Sequence, residues 1–285
     1  MNAKPFDITT DVAWCPGCGD YGLRNIMLDV LADLHLNSEN LCFVSGIGQA
    51  AKSPQYYDVN YFNGLHGRAL PAAVGIKAAN PDMKLIVQSG DGDIYGEGGN
   101  HLIHTIRRNP DMTVIVHDNM VYGLTKGQAS PTSNQGMKTP IQTAGVSAFP
   151  FNPVALAITM GATFVARGSV GDKEKTKEVI KAAILHKGFA LVDVFQACVS
   201  FNKINTHKWY KDNTGYIPEE HQKNDRLKAL SLAFSEEPFF LGIFYQVEGI
   251  KIFEDFISVY ENLHEPLYKR NRNMSVIKEI MDQKK

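Results

Sequence analysis

The sequence has little of several features that define whole classes of protein. Its 285 residues include four cysteines and two tryptophans, which excludes a disulfide-rich secreted scaffold. The formal net charge at pH 7 is −1, so there is no basic excess for nucleic acid or an anionic membrane. The amino-terminal segment lacks an apolar core of signal-peptide length, and no run approaches the roughly 18 apolar residues of a membrane span. We therefore predict a cytoplasmic protein without nucleic-acid or membrane partners.

A repeated strand and helix pattern organises residues 84–128. Residues 85–88 and 113–116 are apolar runs of strand length, and a helix-length segment separates them. In a parallel sheet both strands end at the same edge, which brings Asp91 and Asn119 together where α/β proteins bind ligands. A carboxylate and an amide oxygen suit Mg²⁺, and the glycines on either side of Asp91 allow a phosphate to approach the backbone.

Two cysteines form a Cys-x-x-Cys motif near the amino terminus. Cys15 and Cys18 flank Pro16 and Gly17, which favour a tight turn with both thiols on one side. Zinc, an iron–sulfur cluster and a redox pair all fit this spacing, although no βαβ unit is completed around the motif to favour the redox pair. Two unpaired cysteines in a turn are the remaining interpretation.

Several motifs, in order along the chain, resemble those of one enzyme family. Gly90-Asp91-Gly92, followed after residues 93–118 by Asn119, is similar to the thiamine diphosphate motif. Together the motifs resemble the β subunit of 2-oxoacid:ferredoxin oxidoreductases over roughly residues 10–205. The segments that carry the resemblance are WCPGCGD, SGIGQAAK, NGLHGRALPAAVGIKAANP, SGDGD, GEGGNH and VYGLTKGQASPTS.

This resemblance implies a fold and a domain organisation. The expected class is α/β, a parallel sheet flanked by helices that binds the diphosphate half of thiamine diphosphate. We expect residues 1–205 to form this domain together with the Cys-x-x-Cys segment, and residues 206–285 to form a C-terminal extension.

The resemblance also implies roles for individual residues. Asp91, Asn119 and the carbonyl of Val121 would hold Mg²⁺ on the diphosphate. Lys52 and His66 are the candidate catalytic residues: Lys52 would meet a substrate carboxylate or a phosphate unless it is only solvated, and His66 would donate to a phosphate oxygen. The predicted cofactor-binding residues are Ile47, Gly48, Gln49, Ala50, His66, Gly90, Gly92, Asp93, Gly123 and Leu124.

In the family, cysteines matching Cys15, Cys18 and Cys198 ligate a [4Fe-4S] cluster, but the fourth ligand usually stands where this chain has Gln49. Cys42 would lie about 23 Å from position 49 along an extended strand. We therefore predict that Cys42 is a core residue. Three outcomes remain. The cluster is held by three cysteines, with its fourth iron open or bound by water, a partner residue or Gln49; it is absent; or the thiolates hold zinc.

The implied activity is oxidative decarboxylation of a 2-oxoacid with coenzyme A, with electrons passing through the cluster to ferredoxin. An α subunit, or α and γ subunits, would supply the pyrimidine half of the thiamine site. One alternative is a subunit of a non-redox thiamine diphosphate decarboxylase or synthase with a zinc or vestigial cysteine site. Another is a metal-stabilised scaffold subunit without catalysis.

Four local predictions concern segments around these motifs. We expect Asp20 to cap the first helix and Glu97 to be an acidic residue in a first helical turn. Residues 129–149 lack periodicity and should form a loop. Residues 253–263 are predicted to be helical.

Overall fold

Eight strands of the described chain form one sheet in the order β2-β1-β3-β4-β6-β5-β8-β7. The computed structural model describes residues 5–8, 10–261, 263 and 265–284. All neighbouring strands are parallel except β5 and β8, which are antiparallel. The strands are β1 Leu41–Ser45, β2 Asn60–Asn63, β3 Lys84–Gly90, β4 Met112–Asp118, β5 Phe164–Ser169, β6 Phe189–Phe195, β7 Thr214–Tyr216 and β8 Phe239–Gln246.

Helices cover both faces of this sheet. The helices are α1 Gly19–Asp33, α2 Ala69–Ala79, α3 Gly99–Arg108, α4 Pro153–Met160, α5 Lys173–Leu185, α6 His207–Asn213, α7 Arg226–Ala233 and α8 Met274–Asp282. Residues of α2, α3, α4 and α7 contribute to the core on one face, and residues of α1 and α5 contribute to the core on the other. The predicted fold class, a parallel sheet flanked by helices, is confirmed.

The central strands are buried along their length because both of their faces are covered. Every residue of β4 is buried, with Val114 and Val116 in one core and Ile115 in the other. Such continuous burial is typical of a parallel sheet between two helical layers. The carboxyl ends of these strands, where buried backbone gives way to loops, therefore become the available edge for a ligand.

The predicted cap at Asp20 is wrong, because this residue lies in the first turn of α1 and Cys18 occupies the N-cap position. The Asp20 side chain is buried, faces His117 Nδ1 at 2.6 Å and accepts a hydrogen bond from Gln196 Nε2 at 2.7 Å. Buried charges require such partners. Asp20 therefore binds residues distant in sequence and does not cap the helix.

The segment after residue 205 extends the sheet with β7 and β8 and adds α6, α7 and α8. The helix predicted for residues 253–263 is wrong: the segment forms two 3₁₀ turns, Phe253–Phe256 and Ser258–Tyr260, and Asn262 lies outside the described residues. Glu254 faces Lys77 at 3.4 Å, and Tyr260 donates to the Ala78 carbonyl at 2.7 Å. Six residues apart on an α-helix they would lie about 120° apart, so one helix could not direct both inward.

The helix α8 has no buried residue, as expected for a peripheral carboxyl terminus. Among the helices described, none has the length and apolarity needed to cross a membrane.

Candidate active site

A cavity of about 150 Å³ opens at the carboxyl ends of β3 and β4. The two strands are in register up to Gly90 and His117, so the residues that follow them emerge side by side. All thirteen residues predicted to bind the cofactor or Mg²⁺ line this one cavity. They are Ile47, Gly48, Gln49, Ala50, His66, Gly90, Asp91, Gly92, Asp93, Asn119, Val121, Gly123 and Leu124, and Tyr122 and Thr125 complete the lining.

Lys52, predicted as a catalytic residue together with His66, does not line this cavity. It lies in the 3₁₀ helix Ala50–Tyr56, which follows the loop at the end of β1, and is half-buried. Contact between its ammonium group and a ligand in the cavity would require the side chain to reach around that helical turn.

Asp91 and Asn119 supply the two side-chain oxygens that the sequence predicts for Mg²⁺. Asp91 is buried, and its Oδ2 accepts a hydrogen bond from Thr132 at 2.8 Å. Burial raises the pKa of Asp91 to about 6, against the lowering effect of hydrogen bonds from Ser130 and Thr132. The Asn119 Oδ1 accepts a hydrogen bond from the Val121 amide at 3.1 Å, a local turn that fixes the loop after β4.

Asp93 joins three segments around the cavity through one buried carboxylate. Its Oδ1 accepts hydrogen bonds from the backbone amides of Ile47 at 3.0 Å and Gly67 at 2.8 Å, and lies 2.8 Å from His66 Nδ1. Its Oδ2 accepts a hydrogen bond from Ser89 at 2.8 Å. Both oxygens are therefore engaged by the protein, so Asp93 shapes the cavity through its neighbours.

His66 lies between two carboxylates. Its Nδ1 faces Asp93, and its Nε2 lies 2.9 Å from Glu97 Oε2, which also accepts a hydrogen bond from the Tyr122 hydroxyl at 3.0 Å. Donation to a phosphate oxygen would therefore have to replace one of these carboxylate contacts.

The first-turn prediction for Glu97 is wrong. Glu97 ends a π-helical turn, Gly92–Glu97, and α3 begins only at Gly99. Its carboxylate contacts His66 and Tyr122, two residues that line the cavity. The π-helical turn has no periodicity signal in the sequence, and the two partners are distant along the chain.

Gly92 is required by close packing within the protein. A Cβ atom at Gly92 would lie 2.1 Å from Cε1 of Tyr122, whereas one at Gly90 would meet Ala50 Cβ at an ordinary 3.7 Å. The Tyr122 ring can approach the turn after β3 only because Gly92 has no side chain.

Behind Asp91 lies a group of buried acidic side chains that the sequence analysis missed. Asp118 and Asp193 are both buried, and the pKa of Asp118 is raised well above its ordinary value by burial and by the charges of Asp193 and Asp91. Arg167 donates from Nε to Asp193 at 3.0 Å. The buried guanidinium group of Arg167 thus contacts Asp193, and the charged forms of Asp91 and Asp118 beside it would be favoured by an additional cation.

Thr132 connects two of these carboxyl groups. Its Oγ1 lies 2.8 Å from Asp91 Oδ2 and 2.8 Å from Asp118 Oδ1. A hydroxyl group carries one hydrogen and can donate to only one of them at a time. Asp118 is the last residue of the buried strand β4, but no local signal connects it with Thr132 in the following loop.

A second cavity, of about 50 Å³, is lined by the thiols of the Cys-x-x-Cys segment and Cys198. Gln49, Asn119 and Gly123 line both this cavity and the one at Asp91, so the two sites are adjacent. The cysteines brought together are those that the resemblance implies, namely Cys15, Cys18 and Cys198.

The thiols are not arranged as a closed metal site. The Cys18 Sγ lies 3.4 Å from Asp20 Oδ2, burial raises the pKa of this thiol, and Cys15 is exposed. Within the described ranges, no three His, Cys, Asp or Glu side chains form a group that could hold a metal ion. Coordination by all three thiols would require rotation of Cys15 and release of Asp20 by Cys18.

Gln49 occupies a defined position beside these thiols. Its Oε1 is buried without a hydrogen-bond partner, and its carbonyl accepts a hydrogen bond from Trp14 Nε1 at 2.9 Å. Cys42, in contrast, is buried in β1 within the hydrophobic core, which confirms its predicted packing role.

Comparison with known proteins defines the class first. The model for the C-terminal TPP-binding domain of thiamine pyrophosphate enzymes matches residues 44–194, which include the loops after β1, β3 and β4 that form the cavity. The model for the C-terminal part of the pyruvate ferredoxin oxidoreductase beta subunit matches residues 198–262. The fold and the cavity are thus those of a thiamine diphosphate-binding enzyme.

Similar proteins narrow the class to a family. The β subunit of 2-oxoacid:ferredoxin oxidoreductase 2 from Aeropyrum pernix is 41% identical over 256 residues, covering 86% of this chain and 83% of that protein. The 2-oxoglutarate oxidoreductase subunit KorB of Mycobacterium tuberculosis is 45% identical over 202 residues, covering 71% of this chain and 54% of that protein.

A solved 2-oxoglutarate:ferredoxin oxidoreductase from Magnetococcus marinus, with 2-oxoglutarate, coenzyme A and succinyl-CoA bound, superimposes with a TM-score of 0.90 at 35% identity. The alignment covers 98% of this chain and 96% of that one. The chain belongs to the family of β subunits of 2-oxoacid:ferredoxin oxidoreductases. The resemblance and the enzyme class predicted from the sequence are confirmed.

Proposed function

We propose that this chain carries the Mg²⁺–diphosphate half of the thiamine site in a 2-oxoacid:ferredoxin oxidoreductase. The observation that carries the proposal is the convergence of Asp91 and Asn119 on one cavity at the carboxyl edge of the sheet. Asp91, Asn119 and the Val121 carbonyl would be the Mg²⁺ ligands. The excess of buried carboxyl groups behind Asp91 supports cation binding there.

Thiamine diphosphate supplies the carbanion and the electron sink for decarboxylation of a 2-oxoacid. The protein residues bind and orient the cofactor. Asp93 keeps the loop of Ile47 against the loop of His66, and these loops would hold the diphosphate at a constant distance from the Mg²⁺ ligands. Glu97 and Asp93 on either side of His66 fix the plane of its imidazole ring at the cavity.

We propose that Cys15, Cys18 and Cys198 hold the [4Fe-4S] cluster, since thiolates are its usual ligands and these three thiols line one cavity. Gln49 provides the fourth position, because its unpartnered Oε1 is buried beside them. The three residues that line both cavities, Gln49, Asn119 and Gly123, would keep the cluster close to the cofactor, as electron transfer requires.

A partner subunit would complete the site. Exposed apolar side chains surround the open side of the cavity: Ile47 and Leu124 line it with 39% and 42% of their surface exposed, and Leu65 beside His66 is 74% exposed. We assign this surface to the α subunit, or to α and γ, which would supply the pyrimidine half of the site. The isolated chain should accordingly be inactive.

The solved relative contains 2-oxoglutarate and coenzyme A, and the curated relatives are named as 2-oxoacid:ferredoxin oxidoreductases. We propose that this chain acts on the same classes of molecule, a 2-oxoacid and coenzyme A, and passes electrons to ferredoxin. Its cysteines are free thiols, as is usual for a cytoplasmic protein.

The test is co-expression with the partner subunit under anaerobic conditions and measurement of viologen reduction. Reduction that requires a 2-oxoacid, coenzyme A and thiamine diphosphate, and that is lost in Asp91→Asn, supports the proposal. Cofactor-dependent release of CO₂ without viologen reduction, with zinc at the cysteines, would instead establish the non-redox alternative. A complex that neither retains thiamine diphosphate nor turns over a 2-oxoacid would be a scaffold.

A further inference from the structure

The loop of residues 129–149 brings the Thr132 hydroxyl group to Asp91 at the proposed metal site. As predicted, this segment contains no helix or strand. Thr132 is nevertheless buried, with 4% of its surface exposed, and its Oγ1 donates to Asp91 Oδ2 across 2.8 Å. The loop therefore contacts the candidate Mg²⁺ ligand directly.

The position of this hydroxyl group is fixed by several neighbours. It lies 2.8 Å from Asp118 Oδ1 and 3.2 Å from Ser130 Oγ. The same turn is closed by Ser133, whose Oγ donates to the Met120 carbonyl at 2.6 Å and accepts a hydrogen bond from the Ser130 amide at 2.8 Å. Thr132 is thus attached both to the end of β4 and to the loop, and has little freedom to move away from Asp91.

We propose that Thr132 is a positioning residue for Asp91, and that through this bond the loop of residues 129–149 is coupled to occupancy of the metal site. The inference rests on the proposed function, in which Asp91 binds Mg²⁺. A hydrogen bond to one oxygen of Asp91 fixes the plane of its carboxylate group. It therefore also fixes the direction of the second oxygen. Without the hydroxyl group, Asp91 Oδ2 would lose this hydrogen-bond donor, and the carboxylate group would be freer to rotate out of the binding position.

The coupling has an observable consequence for the loop. When Mg²⁺ and thiamine diphosphate fix Asp91, the Thr132 bond should restrict the turn that begins at Ser130. Amide hydrogen exchange across residues 129–149 should then slow on cofactor binding. A side chain that only fills space would not transmit this change in hydrogen exchange. If the slowing is lost in a variant without the hydroxyl group, Thr132 positions Asp91 and does not merely pack.

The experiment uses the complex purified with its partner subunit and stripped of cofactor. The Mg²⁺ concentration for half-maximal retention of thiamine diphosphate is compared for wild type, Thr132→Val, Thr132→Ser and the matched control Thr139→Val. Thr139 is buried in the same loop, but its hydroxyl group bonds Gln142 instead of Asp91. We expect Thr132→Val to raise this Mg²⁺ concentration about 10–100-fold, as is typical when a metal ligand loses a hydrogen bond that orients it. Thr132→Ser and Thr139→Val should each change it by less than about threefold.

Several results would overturn the inference. One is a Thr132→Val complex that binds Mg²⁺ and thiamine diphosphate as tightly as wild type; another is an equal loss in Thr132→Ser. If Thr132→Val does not fold, wild-type hydrogen exchange decides, because unchanged protection of residues 129–149 on cofactor binding contradicts the coupling. A wild-type complex that fails to bind Mg²⁺ and thiamine diphosphate would instead contradict the proposed function itself.

Discussion

Substitution of Asp93 tests how the cavity is assembled. Its carboxylate accepts hydrogen bonds from Ile47, Gly67 and Ser89 at 2.8–3.0 Å and faces His66 Nδ1 at 2.8 Å. In Asp93→Ala the Gly67 amide and the Ser89 hydroxyl remain buried without their acceptor. Each such loss costs about 1–3 kcal/mol, so we expect about 4 kcal/mol in total, including the more exposed contacts.

Asp93→Asn should be much milder. The amide oxygen can remain in place for the two backbone donors, and the Ser89 hydroxyl can reverse to accept a hydrogen bond from the new NH₂ group. We expect a loss of about 1–2 kcal/mol, since hydrogen bonds to a charged acceptor are stronger than those to a neutral one.

Thermal unfolding of the purified, cofactor-free protein measures both effects. At about 2–4 °C per kcal/mol, Asp93→Ala should lower Tm by about 8–16 °C and Asp93→Asn by about 2–8 °C. Asp58→Ala is the control, because Asp58 is exposed, and should leave Tm nearly unchanged. A Tm for Asp93→Ala equal to that of the control, or equal losses for the two Asp93 variants, would refute this account of the cavity.

Three further predictions concern other parts of the chain. Gly92→Ala places a Cβ 2.1 Å from the Tyr122 ring, so it should destabilise the protein by about 1–3 kcal/mol in denaturant unfolding. Gly75→Ala is the control: its Cβ would meet open space, so this substitution should be neutral or stabilising. Gln49→Cys should slow the loss of iron when the anaerobic complex is exposed briefly to air, because a thiolate replaces an amide oxygen; iron loss at the wild-type rate would contradict the fourth-position assignment. Burial lowers the pKa of His186 below 6.5, so the unfolded chain binds more protons at this residue than the folded chain does. The free energy of unfolding should therefore fall as pH decreases below 6.5. If the slope of this free energy against pH is the same in His186→Gln, the prediction is contradicted.

Much of the fold was predictable because hydrophobic pattern and local capping agree with the tertiary structure. Residues 189–195 are almost entirely apolar and form the buried strand β6, since both faces of the strand are covered. Asn152 and Asp172 begin α4 and α5 as their capping side chains indicate. In these segments the local sequence and the final packing favour the same conformation.

The errors occurred where long-range contacts outweigh local preference. Asp20 was predicted as a cap from its neighbours, but a buried histidine and glutamine distant in sequence bind its carboxylate. The helix predicted over residues 253–263 is replaced by 3₁₀ turns because Glu254 and Tyr260 are both directed toward the body of the domain. A periodic pattern contains no information about such partners.

The candidate site shows the same division. Asp91 and Asn119 follow strand ends and were identified from their spacing and from the resemblance. Glu97 and Thr132 were not, because Glu97 reaches His66 and Tyr122 from a π-helical turn and Thr132 reaches Asp91 from a loop without periodicity. Their roles depend on distances that only the assembled chain provides.

The most direct test of the central claim is iron and sulfide analysis of the anaerobically purified heteromer, with a visible spectrum before and after addition of a 2-oxoacid and coenzyme A. The account predicts about four iron and four sulfide per heteromer, in addition to any cluster that the partner carries. This iron and sulfide should be lost when Cys198 is replaced by alanine. The visible absorption of the cluster should bleach when substrate is added. Zinc or empty thiols, with no bleaching in a complex that still binds thiamine diphosphate, would contradict it.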